Sequence, residues 1–195
     1  ASIYTSSDDL YIENGVDDKD IIFRSDDGSG GLETYFYLDG SQKFIIVQDS
    51  IQFCLGTGQD IRLYHDGSNA SFKNYTGNFS IEALTNSGDM IFTQFGDDRD
   101  IIFKSDDGSG GVATYMTLDG SATKVTLQKD LRADDNVKIQ AGSSGDVYLL
   151  HNGTDSKIEN GTGDFIIEQL VDDKDIILKS DNGSGGTTAY LTLDG

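Results

Sequence analysis

Three Gly-rich turns and two histidines are the residues of this chain whose types invite chemistry. Asp26-Asp27-Gly28-Ser29-Gly30-Gly31 recurs as Asp106-Asp107-Gly108-Ser109-Gly110-Gly111 and, with one acid exchanged, as Asp181-Asn182-Gly183-Ser184-Gly185-Gly186. Clustered carboxylate oxygens on a flexible loop suit a hard cation such as Ca²⁺, and a Gly-rich loop can cradle phosphate. The spacing fits neither template. An EF-hand needs alternating ligands closed by a distant Glu, the calcium nonapeptide puts its glycines before the Asp, and no Lys follows these glycines to reach a phosphate. Asp and Gly favour turns without any ion, and Asn182 in place of the second acid favours that plainer explanation.

His65 and His151 each end an alternating apolar stripe, Ile61-Leu63-His65 and Val147-Leu149-His151. Three chains about a threefold axis would bring such imidazoles into rings able to hold a metal or an anion. The alternative is a packed, hydrogen-bonded histidine, because each chain offers only one ligand type. Tyr35, Tyr115 and Tyr190 recur beside the turns, as platforms for stacking sugars or as cross-strand packing. Asn69, Asn74, Asn78, Asn152, Asn160 and Asn182 open Asn-x-Ser/Thr sequons, which are glycan acceptors in some compartments and simple turn chemistry in a chain this rich in Asn, Gly, Ser and Thr. Among 34 acidic residues no carboxylate pair stands out for glycoside hydrolysis, and no Ser-His-Asp set is identifiable. No catalytic, cofactor-binding or metal-ligating residue is assigned, and the chain is read as a non-enzyme without cofactors.

The elements that carry these residues repeat. The block Asp97 to Gly120 has near copies at Asp17 to Gly40 and Asp172 to Gly195, so the copies begin 80 and then 75 residues apart. A period this long with strand-like pattern means several strands per unit. The units run 17–96 and 97–171, with the end of a preceding unit at 1–16 and the start of another at 172–195; residues 9 to 16 align with 164 to 171 at an offset of 155. The chain is therefore expected to be a segment of a longer polypeptide.

In each block Ile21 and Phe23, or their equivalents, share one strand face. After the turn a second strand presents Phe36 and Leu38, then Met116 and Leu118, then Leu191 and Leu193, on its core face, with the tyrosines on the other. The block reads as a β-hairpin closed by Leu-Asp-Gly. Residues 41 to 60 and 121 to 146 are the variable part and alternate with period two at Lys124 to Leu127 and Val137 to Ile139, so strand is expected there. A further strand is expected through Phe72, Asn74, Phe79 and Ile81, paralleled by Ile158, Asn160, Phe165 and Ile167, with about a strand's worth of extra residues at Thr85 to Phe95. No helix is required.

Fourteen basic residues against 34 acidic ones give a formal net charge of −20, which repels phosphate backbones and anionic membranes. Neither nucleic-acid binding nor membrane insertion is expected. The single Cys54, in the apolar run Ile51 to Leu55, cannot staple the chain and is expected to be buried. The absence of Pro suits strands whose N–H groups are all used.

Leu-Tyr-His-Asp-Gly-Ser (63 to 68), Leu-His-Asn-Gly-Thr-Asp-Ser (150 to 156), Ile-Glu-Asn-Gly-Thr-Gly-Asp (158 to 164) and Tyr-Phe-Tyr-Leu-Asp-Gly-Ser (35 to 41) resemble the repeats of tail-fibre and virion structural proteins of tailed phages, of the marine and cyanobacterial type. The resemblance implies an all-β, elongated repeat fibre of hairpin modules, an intertwined homotrimer of β-prism or triple β-helix kind, located in the virion. Its partners would be other tail or baseplate proteins and a host surface glycan. Physics points the same way: short strands with single apolar faces bury little surface alone, and three chains about an axis can cover them. The alternatives are a microbial extracellular filament or surface adhesin, calcium-stabilised or not, and, third, a polysaccharide-degrading tail spike.

Overall fold

The computed structural model describes residues 1–84 and 88–195. Among them are sixteen β-strands and no helix, and every strand pairs antiparallel with a neighbour in sequence. The chain is all-β, as its period-two alternation and turn chemistry predict.

The unit Ala1–Met90 opens with a hairpin of β1 (Ser2–Ser6) and β2 (Asp9–Glu13). Two three-stranded meanders follow: β3 (Ile21–Asp26), β4 (Leu32–Asp39) and β5 (Phe44–Val47), then β6 (Phe53–Leu55), β7 (Ile61–His65) and β8 (Ala70–Asn74). The unit Ile91–Gly195 repeats both meanders and adds a hairpin. Its strands are β9 (Ile101–Asp106), β10 (Val112–Asp119), β11 (Lys124–Leu127), β12 (Ile139–Ala141), β13 (Val147–His151), β14 (Ser156–Asn160), β15 (Ile176–Asp181) and β16 (Thr187–Leu193).

Leu-Asp-Gly does not close the hairpin. Leu38 and Asp39 belong to β4, and Gly40 starts a second turn in which the Asp39 carboxylate accepts from the N–H groups of Ser41 and Gln42, both at 2.9 Å. Asp119 makes the matching turn into β11 through the Ala122 N–H at 2.8 Å. The glycine is required because its backbone passes so close to the carbonyl of Lys19 that a Cβ would collide with it; Gly120 meets Arg99 and Gly195 meets Lys174 in the same way. At that crossing the glycine N–H donates to Asp20 at 3.1 Å and to Asp100 at 3.0 Å.

The recurrent tyrosine sits in a β-bulge and is not part of a regular opposite face. Pairing shifts between Thr34 and Phe36, between Thr114 and Met116, and between Ala189 and Leu191, so Tyr35, Tyr115 and Tyr190 each face no residue of the partner strand. A bulge adds one residue to one strand and reverses its alternation. It keeps Phe36 opposite Phe23 and Met116 opposite Phe103.

The stretches that vary in sequence also fold alike. β5 and β11 complete one meander, and β6 and β12 open the next. Between Val47 and Asp49 lies one residue, whereas Leu127 and Asp135 are separated by six more, so the whole insertion falls outside the strands. The strand expected to continue past Asn74 and Asn160 stops at those residues: each side-chain amide turns back to the chain, onto Gly77 at 2.9 Å and onto Thr162 at 2.8 Å. Phe79, Ile81, Phe165 and Ile167 therefore lie beyond the strands. Gly88 to Phe95 is not in a strand either, and the remainder of the predicted extra strand, Thr85 to Ser87, lies outside the described residues.

Cys54 is half-buried and not in a core. Strand alternation puts Phe53 and Leu55 on one face of β6 and Cys54 on the other, opposite Arg62.

Candidate functional site

Each meander presents one face whose cross-strand rows are apolar. In the first the rows are Phe23–Phe36–Val47 and Ile21–Leu38–Ile45, with the rings of Phe23 and Phe36 stacked at 4.4 Å. In its counterpart they are Phe103–Met116–Leu127 and Ile101–Leu118–Val125. The other meanders carry Phe53–Leu63–Phe72 and Ile139–Leu149–Ile158. The reverse face changes character between copies: Tyr37 and Ile46 become Thr117 and Thr126. The apolar rows thus keep their character between copies while their shapes vary.

Within a single chain that face is wet. Among the described residues no hydrophobic side chain is buried; Phe53 is 57% exposed, Leu63 52% and Phe72 58%. The accessible surface is 16242 Å². A compact monomer of 21.1 kDa exposes about 9,000 Å² by the scaling of surface with mass. The excess of about 7,000 Å² is several times the roughly 800 Å² that one partner contributes to a standard interface. In the first unit the face holds an open hollow of about 340 Å³ lined by Phe23, Phe36, Val47, Ile51 and Phe53. A similar one in the second unit, about 360 Å³, is lined by Leu131, Val137, Ile139, Leu149 and His151.

The histidines border this face. Ser50 N–H donates to the carbonyl of His65 at 2.7 Å, and Asn136 N–H to that of His151 at 2.8 Å, so a short turn folds back over the end of each stripe. That turn brings Asp49 Oδ1 within 2.8 Å of His65 Nδ1. With its proton on Nδ1 the ring donates to Asp49; the Gly67 N–H, 3.1 Å from the same nitrogen, finds an acceptor there only in the other tautomer. In the second copy Asp135 lies 3.9 Å from His151 Nε2, beyond hydrogen-bond reach, and Nδ1 is 3.2 Å from the Ser156 hydroxyl. The Asp partner was not anticipated from sequence, although an Asp stands sixteen residues before each His. Among the described residues no group of three or more His, Cys, Asp or Glu side chains converges as a metal site would require.

The turn acids are occupied with backbone. Asp27 Oδ1 accepts from Ser29 N–H at 2.7 Å, the Ser29 hydroxyl at 2.8 Å and Gly31 N–H at 3.0 Å. These donors, the Ser29 N–H foremost, hold the Asp27 carboxyl below the usual range, and the Ser109 hydroxyl leads the same effect on Asp107. Asn182 Oδ1 accepts from Ser184 and Gly186 N–H at 2.9 and 3.2 Å, so the amide makes the same backbone bonds without a charge. A second exchange repeats the lesson. Asp66 accepts from Ser68 and Asn69 N–H, and Asn152 in the equivalent turn accepts from Thr154 and Asp155 N–H. What these positions share is an oxygen acceptor.

The tyrosine hydroxyls are likewise internal: Tyr35, Tyr115 and Tyr190 donate to the carbonyls of Asp26, Asp106 and Asp181 at 3.1, 2.8 and 3.1 Å. Of the six sequon asparagines, Asn74, Asn152, Asn160 and Asn182 use their side chains in turns. On the face opposite the apolar rows, Arg62 stacks on Tyr75 at 4.7 Å, and Lys73 donates to the Tyr64 hydroxyl at 2.7 Å. That bond lowers the Tyr64 pKa and raises that of Lys73.

Among the described residues no helix is long and apolar enough to cross a membrane. No family model, curated protein or solved structure matches the chain.

Proposed function

We propose that this chain is a structural segment of a phage tail fibre that supports attachment of the virion to its host, and that it works as a homotrimer with the apolar rows of its meanders facing the common axis. The observation that carries this reading is the repeated apolar face left uncovered in the single chain. The assignment to a tail fibre adds the resemblance of the Tyr-His-Asp-Gly and Glu-Asn-Gly-Thr-Gly-Asp motifs to those repeats. The function is mechanical: meanders set reach, association hides their apolar sides, and the net charge of −20 keeps the outer surface solvated. Other tail or baseplate proteins and a host surface glycan are the partners this reading implies, in the virion.

Sedimentation of the chain tests the assembly. The expected mass is three times 21.1 kDa, held on dilution into the nanomolar range, and a folded monomer at working concentration defeats the proposal. Immunogold labelling of native particles tests the location. Labelling of a cell-surface filament in place of a virion appendage favours the second reading, a microbial filament or adhesin, which the same uncovered faces also suit.

A further inference from the structure

Two stretches of closely similar pattern fold differently, and the turn inside each is where they part. The first is the hairpin of β1 and β2, with Ile3 opposite Ile12 and Ser2 opposite Glu13. At the offset of 155, β1 corresponds to β14, and Asp9-Leu10-Tyr11-Ile12-Glu13 to Asp164-Phe165-Ile166-Ile167-Glu168. Yet this later segment is outside any strand, with Phe165 55% exposed, Ile166 69% and Ile167 63%. A partner edge is present in the same sheet. β14 pairs with β13 along one edge, and among the described residues no strand occupies the other.

The turns differ in kind. Ser7 and Asp8 both have positive φ, 50° and 68°, as the tight two-residue hairpin turn of type I′ demands. Their counterparts are Thr162 and Gly163, of which only Gly163, at 64°, enters that region, and a β-branched residue resists it. Asn160 stands where β1 has Thr5 and adds a clamp, its amide donating to the carbonyls of Thr162 at 2.8 Å and Gly163 at 3.0 Å. The Thr5 side chain has no amide to do this. The first unit repeats the open arrangement: β8 ends at Asn74, whose amide donates to the Gly77 carbonyl at 2.9 Å, Gly77 has a φ of 68°, and Phe79-Ser80-Ile81 follows outside any strand. There Phe79 already meets Phe72 edge-on at 4.9 Å, the diagonal contact that a hairpin on β8 would make.

We propose that Asp164–Glu168 is a strap held off the free edge of β14 by the turn Asn160–Gly163, and that releasing this turn closes the meander into a four-stranded sheet. Transferring the register of β1 and β2 puts Ile167 opposite Ile158, which extends the apolar row Ile139–Leu149–Ile158 by one residue, and Glu168 opposite Lys157, an attractive cross-strand pair. Paired backbone and covered apolar surface favour the closed form. The amide clamp and the Thr162 backbone oppose it. The device is internal to one chain and works alike in a monomer and in an assembly.

Exchanging the two turns within the 195-residue chain tests this, with hydrogen exchange and methyl NOEs as readouts. In the variant Asn160→Thr, Gly161→Ser, Thr162→Ser, Gly163→Asp, alternate amides from Phe165 to Glu168 should exchange about tenfold or more slowly than in wild type, because a strand paired on one edge protects every second N–H. An NOE between Ile158 and Ile167 should appear with that protection. The reciprocal variant, Thr5→Asn, Ser6→Gly, Ser7→Thr, Asp8→Gly, should release Leu10 to Glu13 to loop rates while circular dichroism shows the remaining sheets intact. Wild-type amides at Phe165 to Glu168 already as slow as those of β2 overturn the proposal. So does an exchange that leaves either segment unchanged, since the strands themselves, through contacts such as the stack of Tyr4 on Tyr11 at 5.1 Å, would then decide pairing. Protection in the first variant without the Ile158–Ile167 contact also overturns it, because the strap would be paired elsewhere.

Discussion

The hydroxyl of Tyr115 reaches across its hairpin to the carbonyl of Asp106 at 2.8 Å, from the one position in β10 that has no residue opposite it. The bulge and the hydroxyl bond occur together in all three hairpins, which makes the tyrosine a strut from the bulge to the turn. Removing three hydroxyls, as Tyr35→Phe, Tyr115→Phe and Tyr190→Phe together, should lower the melting temperature, at about 0.5–1 kcal/mol for each bond because the sites face water. Thermal unfolding followed by circular dichroism measures this, and an unchanged midpoint would show that the bond contributes nothing.

Asp107→Asn should be nearly silent at neutral pH, because Asn182 already does that work in another copy, whereas Asp107→Ala should lower the melting temperature, because the Ser109 and Gly111 N–H groups lose their acceptor in the turn. Added Ca²⁺ should shift neither variant. A calcium-dependent rise in the wild-type melting temperature that Asp107→Asn abolishes would contradict the turn-building role.

Acid should act through the same turns. Asp27, Asp39, Asp66, Asp107 and Asp119 all have folded-state pKa values below the ordinary carboxylate, through bonds led respectively by Ser29, Ser41, Asn69, Ser109 and Ala122. The unfolded chain therefore takes up protons first. Their stabilisation is complete above the unfolded value of about 3.9 and is lost as pH falls through the lower folded values. Melting temperature against pH should be level from about pH 7 to 5 and then fall below about pH 4, with a shallower fall in Asp107→Asn. A midpoint that stays level below pH 4 would remove these turn acids as the source of acid sensitivity.

Gly120→Ala should destabilise by about 1–3 kcal/mol, because its Cβ meets the Arg99 backbone, which has no rotamer to yield. Gly15→Ala, with open space around the site, is the control and should cost little. Equal midpoints for the two variants would remove the close crossing as a constraint.

Leu63→Asp, in the centre of a row between Phe53 and Phe72, should weaken assembly by tenfold or more, while Thr126→Asp on the reverse face of its sheet should leave the mass in solution unchanged. Salt should help assembly, because chains of −20 each repel and the Debye length shortens from about 30 Å at 0.01 M to about 8 Å at 0.15 M. Sedimentation reads both effects.

The all-β class, the hairpins and the apolar stripes were legible because alternation and turn residues are local signals. Phe36, Leu38 and their counterparts fall where period two puts them. The bulge was not legible, because an extra residue in one strand is visible only against the register of the other. Cys54 misled because a run of apolar residues hides which of them alternate inward. Phe79 and Phe165 continue a strand-like pattern after the strand has ended, since pattern reports what a segment can pair with and says nothing of whether a partner is within reach. The Asp49 to His65 contact spans β6, β7 and the turns before them, a distance at which sequence carries spacing but no geometry.

Six extra residues separate Leu127 from Asp135, yet β12 to β14 fold as β6 to β8 do. Since among the described residues no strand pairs with one outside its own hairpin or meander, each meander can be duplicated, deleted or respaced without rewriting any other. Genetic change in such a chain has a natural unit, and length can be inherited as a count of modules while the joints between them drift freely.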